Sequence, residues 1–199
     1  KLKASAVAHG RRADDLKVFP GISPIVVSTA EEAERKYREI RDLVSVTEAL
    51  RYIGRFFDHH DFTQYDLDAP FPELGELGKN QFRSGTDRIK RIAKEKNQTL
   101  REVALENTTP RNDFIGTPDV VAGKLIEWVE QGAADGFVLG FQVITQGLDD
   151  FEAEVLPILE RRGYHSRELI GATLREHLEL PRPVSRFADV AAAKAGAAE

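Results

Sequence analysis

Two short apolar runs, LKVFPGISPIVV (16–27) and DGFVLGF (135–141), constrain the fold more than any other feature, because most of the sequence between them reads as helix. Unbroken β-branched and aromatic hydrophobicity over so few residues suits a strand buried on both faces, as in a parallel sheet covered by helices. Parallel neighbours need a right-handed crossover. Two strands alone do not make a stable sheet, so the pattern predicts an incomplete α/β sheet, mostly helical by residue count. Pro20, Gly21 and Pro24 interrupt the first run, which predicts a regular strand at 16–19 and an irregular extension after it. The chain opens at Lys1, inside a helical pattern that stops at Gly10, and holds no Met in 199 residues. Both features lead us to expect a piece of a longer protein.

The helices announce themselves by caps and stripes. Ser28 followed by Glu31 reads as a capping box, and Ala33, Tyr37, Ile40 and Val44 form an apolar stripe on a helix over 29–44. Further helices are expected at 47–57, 84–96 and 99–107. Thr117-Pro118-Asp119 combines a cap, a proline at the first helical position and an acid at the positive helix end, so a helix should run from there to Gly132. Residues 148–163 predict a helix distorted at Leu156-Pro157, where proline removes a backbone bond. A last helix is expected at 167–178, before an Ala-rich tail. Residues 58–83 show no periodicity. Loops of this length are functional or unstructured, and Phe62, Tyr65, Leu67, Phe71 and Leu74 predict that this one packs on something.

The chemical inventory is sparse. Without Cys there is no disulfide scaffold, thiolate metal site or Cys nucleophile. A net charge of -5 argues against a grip on nucleic acid, which needs clustered Lys and Arg. No apolar run is long enough to span a bilayer and no signal peptide opens the chain, so no membrane role and a cytoplasmic location are expected. His59 and His60, flanked by Asp58 and Asp61, are the one cluster resembling a metal or acid/base site. They lack the helical spacing of metal ligands. A solvated polar loop is the preferred reading, and no metal is expected. Asp66, Asp68, Glu73 and Glu76 are explained by turns and solubility. In parallel α/β folds sites gather at the carboxyl ends of strands. That rule singles out Ser23 after the first run, and Phe141 and Gln142 after the second, with Phe141 equally readable as core. The residues thus give a place but no reaction.

Several motifs then become recognisable in order: LKVFPGISPIVVSTAEEAERKYREI, DLDAPFPEL, TLREVA, IGTPDVVAGKL, DGFVLGF, and LDDFEAEVLPILERRG followed by GATLREHLELPRP. Together they resemble the bacterial-luciferase-like flavin monooxygenases. The nearer branch is the one that includes nitrilotriacetate monooxygenase component A and dibenzothiophene-sulfone monooxygenase. The resemblance covers roughly residues 10–184. It implies the C-terminal portion of a (β/α)8 TIM barrel, with 16–27 and 135–141 as strands seven and eight and the first six strands absent. Residues 1–184 would belong to that one domain, with an insertion at about 45–116 and a tail at 185–199.

The implied reaction is a two-component oxygenation. A separate NAD(P)H-dependent flavin reductase supplies reduced FMN. With O2, one oxygen atom passes to a small organic substrate and the other leaves as water, in a C–N or C–S cleaving enzyme. The family's phosphate-binding segment has no counterpart here. Of the barrel mouth, Pro20, Gly21 and Ser23 remain after strand seven, and Phe141 and Gln142 after strand eight. The resemblance makes these five pocket lining and names no catalytic residue. Loop 58–83 would be a lid, a dimer contact or an outer cover, and a homodimer is implied. A second reading is a truncated paralogue or interaction module unable to bind flavin alone. A third, a deazaflavin-dependent enzyme on the same barrel, fits DLDAP and TLRE poorly.

Overall fold

The computed structural model describes residues 1–80 and 82–182. The expected tail at 185–199 lies outside the described residues. Helix α1 (Leu2–Ala8) ends as the sequence predicts, with Gly10 at φ +78°, and Arg11 N–H and Gly10 N–H close back on the carbonyls of Ala6 and Val7. An extended stretch then leads into β1 (Gly21–Ile22) and β2 (Ile25–Val26). Helices α2 (Ala30–Asp42), α3 (Val46–Gly54), α4 (Arg83–Glu95) and α5 (Leu100–Thr108) follow. After them come β3 (Ile115–Gly116), α6 (Pro118–Glu130) and β4 (Val138–Leu139). The closing segment is α7 (Gln146–Asp150), a π turn (Phe151–Val155), α8 (Leu156–Arg161) and the single turn α9 (Leu174–His177).

The strand pairing corrects the expectation for the first run. The ladders lie at 21–22 and 25–26, inside the Pro/Gly stretch, and 16–19 is extended but outside either ladder. β1 runs parallel to β4, with Gly21 opposite Val138 and Ile22 opposite Leu139. β2 runs parallel to a strand not foreseen, β3, with Ile25 opposite Ile115 and Val26 opposite Gly116. The prolines are compatible because each is used where no N–H is required. Pro20 offers its carbonyl to Val138 N–H at 3.0 Å, and Pro24 stands where the chain changes partner.

The helix starts show smaller shifts. α2 is capped by Thr29, not Ser28: its hydroxyl accepts Glu32 N–H, while the Glu32 carboxylate accepts Ser28 N–H at 3.2 Å. The stripe holds for Ala33, Tyr37 and Ile40, all buried, but Val44 lies past the end of α2 and packs, half-buried, against the α3–α5 core. The distortion expected near Pro157 takes the form of the π turn just before it, a wide turn that accommodates the missing proline N–H. The helix expected at 167–178 is confined to 174–177, and Leu169 and Leu174 stay 81% and 73% exposed. With no apolar partner among the described residues, propensity alone does not hold a short helix.

Three apolar cores result. One packs Ile22 and Val26 against α6 and the π turn–α8 segment through Phe114, Val121, Leu125 and Val155. A second, small one sets Ile25 and Val27 against α2. The third belongs to α3, α4 and α5, and loop 58–83 folds into it through Phe62, Tyr65, Leu67, Phe71 and Leu74. Phe62 is 1% exposed and its ring lies 5.6 Å from Phe57 and 5.9 Å from Phe71. The loop also meets the start of α5, where the Leu100 and Arg101 N–H groups donate to the carbonyls of Ala69 and Leu67. First-turn amides of a helix need such outside acceptors.

Candidate active site at the strand ends

The β1–β4 ladder has two unlike faces. Side chains alternate along each strand. Ile22, Phe137, Leu139 and Phe141 go to the helix side, where they join the core of Phe114 and Val121. The opposite side carries Gly21, Val138 and Gly140, all exposed, with Val138 at 59%. An added Cβ at Gly21 would meet nothing within 4 Å, and one at Gly140 would have only Ser23 Oγ at 3.8 Å and Ile22 O at 3.9 Å near it. The result is an uncharged strip, bare main chain at Gly21 and Gly140 with Val138 between them, beside the Ser23 hydroxyl.

The strip is held at both ends. At its base, Val18 N–H donates to the Asp135 carboxylate at 2.8 Å, and Asp135 N–H donates to the Val18 carbonyl at 2.9 Å. Lys3 on α1 pairs with the same carboxylate. Burial raises the Asp135 pKa, but the Lys3 and Val18 donors and the Lys17 charge outweigh it, so the carboxyl sits below its usual range. At the far end, Gly140 N–H donates to Ile22 O at 2.9 Å, and Asn112 Nδ2 donates to Ser23 O at 3.0 Å. Asn112 Oδ1 meanwhile accepts Phe114 N–H at 2.8 Å, an Asx turn that starts β3.

The five positions singled out from the sequence divide accordingly. Gly21 and Ser23 lie along the strip, and Pro20 supplies its carbonyl to the ladder. Phe141 turns to the helix side, edge-on to Phe151 at 6.0 Å, with Gly147 close against its ring. Gln142 is exposed and, with Phe141, lines a narrow cleft shared with Pro24, Val26, Lys36 and Asp150. Sequence reasoning missed Asn112 and Asp135. Asn112 had a local signal, since Asn is a turn former and stands three residues before β3, whereas the partner of Asp135 lies 117 residues away.

The polar loop residues have structural work. Asp58 and His59 adopt φ of +54° and +62°, and Asp58 accepts Gly78 N–H at 2.8 Å. The His60 ring meets Tyr65 OH at 3.0 Å, and Asp61 accepts both the N–H and hydroxyl of Thr63. No group of three His, Asp or Glu that could hold a metal occurs among the described residues. Asp68 grips the Arg101 guanidinium through two bonds of 2.8 and 3.2 Å. Among the described residues no helix is long and apolar enough to cross a membrane.

No protein-family model matches the chain. Individual proteins do. Over 189 residues it is 34% identical to N-acetyl-S-(2-succino)cysteine monooxygenase of Bacillus subtilis, covering 94% of this chain and 43% of that one. It is 33% identical over 190 residues to nitrilotriacetate monooxygenase component A of Aminobacter aminovorans, covering 94% and 42%. The chain is a homologue of the luciferase-like two-component monooxygenases. It spans about two fifths of the length of these relatives. Solved luciferase-like structures share the fold as well. A riboflavin lyase solved with modified FMN and riboflavin superposes with a TM-score of 0.68 at 32% identity, over 94% of this chain and 40% of that one. DmoA of Hyphomicrobium sulfonivorans gives 0.69 at 27% identity, over 89% and 37%.

Proposed function

We propose that this chain forms the C-terminal part of an FMN-dependent two-component monooxygenase, with β1 and β4 as strands seven and eight of its barrel. In the complete protein, reduced FMN from an NAD(P)H-dependent reductase, together with O2, would oxygenate a small organic substrate of the C–N or C–S cleaving type, in the cytoplasm and as a homodimer. The observation that carries this reading is the bare strip of Gly21, Ser23, Val138 and Gly140 on the face of the ladder away from the helices.

The strip suits one part of the cofactor. A flavin ring is flat and largely apolar, so it can come close to the main chain at Gly21 and Gly140, which lack Cβ atoms, and lie against the apolar Val138 side chain. The Ser23 hydroxyl at the edge of the strip can donate to or accept from a polar ring edge. None of the four residues is charged, so the phosphate is left to another part of the protein. When bound, the flavin supplies the oxygen-activating chemistry. This chain's part is to present a smooth wall, hold Ser23 in place through Asn112, and keep water from that wall.

The test uses the complete reading frame that contains this chain. Anaerobic titration with reduced FMN should quench flavin fluorescence saturably, and exposure to O2 with an amine or sulfone substrate should give an oxygenated product. Absence of flavin binding in that protein overturns the reading and leaves the interaction-module alternative.

A further inference from the structure

A second concavity lies away from the strip, where α2 meets α4 and α5, and it joins the small core beneath α2 to the core of the helical insertion. Its floor is apolar: Phe56, Ile89, Ile92 and Val103. Around that floor stand four cations, Arg41, Arg88, Lys96 and Arg111, against two carboxylates, Glu34 and Glu106. A positive concavity in a chain of net charge -5 focuses potential locally.

The pairing of these cations separates them from ordinary surface charge. Several helix arginines are matched to an acid three or four residues away: Arg35 to Glu32 and Glu39, Arg38 to Glu34, Arg51 to Glu48, Arg91 to Glu95. Arg88 has Ser84, Gly85, Arg91 and Ile92 at those spacings, and Lys96 has Ile92, Ala93, Thr99 and Leu100. Neither has a carboxylate within ion-pair distance among the described residues. α4 sets Gly85, Arg88, Ile89, Ile92 and Lys96 along the cleft wall, while Thr86 and Ala93 are buried on its other side. Across the cleft Arg111 pairs with Glu34 and lies over the Tyr37 ring at 5.3 Å. Glu106 is already engaged by Gln98 Nε2 at 2.7 Å. Arg41 is held by Asp42 at 2.8 Å and Arg111 by Glu34, while Glu106 keeps its charge, so Arg88 and Lys96 are the cations of the cleft wall with no ion-pair partner among the described residues.

We infer that this cleft binds a small organic polycarboxylate with an apolar body, its carboxylates on Arg88 and Lys96 and its body over Phe56, Ile89 and Ile92. Guanidinium and ammonium donors favour carboxylates over neutral ligands. Clefts between two packed units are where small ligands commonly lodge. The inference is independent of flavin binding, because none of these residues lies on the strip.

The test is calorimetric titration of the complete chain with phthalate, an aromatic dicarboxylate, and in parallel with glutarate and inorganic phosphate. Phthalate should bind saturably, more tightly than glutarate or phosphate, and binding should weaken with added salt. Arg88→Glu with Lys96→Glu should lower phthalate affinity at least about tenfold. Both side chains are solvent-facing, so circular dichroism and melting should be unchanged. Arg51→Glu, on α3 outside the cleft, should bind as the parent does. Equal binding by the double variant, or no saturable phthalate binding by the folded parent, overturns the proposal. Phosphate binding as tight as phthalate overturns the role of the apolar floor.

Discussion

Val18 and Asp135 are 117 residues apart in sequence and bonded twice: the Val18 N–H donates to the Asp135 carboxylate, and the Asp135 N–H donates to the Val18 carbonyl. The pair closes the base of the β1–β4 ladder, and Lys3 ties α1 to the same carboxylate.

Asp135→Asn should therefore cost about 2 kcal/mol in urea unfolding, since it removes one charge-assisted bond and weakens another. The pH dependence has a definite sign. The folded pKa lies below the unfolded value, so the stabilisation is present above the unfolded carboxylate range and fades as pH falls through the folded pKa. The acid limb of the stability–pH curve should be shallower in the variant. An unchanged acid limb would mean the clasp carries no such linkage.

Two glycines in helices should respond in opposite directions to alanine. At Gly54 the new Cβ would stand 2.6 Å from the His60 carbonyl oxygen, a main-chain atom that cannot swing away, so Gly54→Ala should destabilise by about 2 kcal/mol. At Gly123 on α6 the new Cβ meets nothing within 4 Å, and Gly123→Ala should stabilise by about 0.5–1 kcal/mol. Melting temperatures of the two variants check the pair, and a shift of the same sign in both contradicts it.

Thr99 caps α5 by a complete box, with its hydroxyl accepting Glu102 N–H while Glu102 accepts Thr99 N–H at 2.9 Å. Thr99→Ala should cost about 1 kcal/mol. Because Phe71 N–H bonds Gln98 O beside this cap, proteolysis within 66–75 should speed up in parallel. Loss of stability without faster cleavage would separate the loop from the cap.

Gly140→Val tests the strip. The branched side chain would fill the space beside Ser23 without entering the helix-side core. In the complete protein it should weaken reduced-FMN binding at least about tenfold with little change in melting. Parent-like affinity would remove the strip from the flavin site.

Much of this was legible in the sequence. The Thr117-Pro118 start, the stripe of Ala33, Tyr37 and Ile40, and the closing glycines at 10 and 132 depend on neighbours within a few residues. Local physical chemistry decides them. The strands were harder, because a two-residue ladder carries no period, and Ile115–Gly116 has nothing to distinguish it from a linker until Ile25 lies beside it. Pro20 and Pro24 read as interruptions because their missing N–H counts only where a partner needs it, and the partner is set by the fold. Residues 167–178 read as a helix, yet Leu169, Ile170 and Leu174 stay exposed, with nothing described packed on them. For the candidate site, the strand-end rule reached Ser23, and the family resemblance added Gly21. It could not say that Phe141 turns toward Phe151, since the direction of alternation depends on which face the helices cover.

One segment, residues 18–27, pairs with β4 over its first half and β3 over its second. It is thus a shared beam between the Gly21–Ser23 strip and the linker that returns from the helical insertion. A tilt of α3–α5 carried along that linker to Asn112 reaches the Ser23 carbonyl through one hydrogen bond.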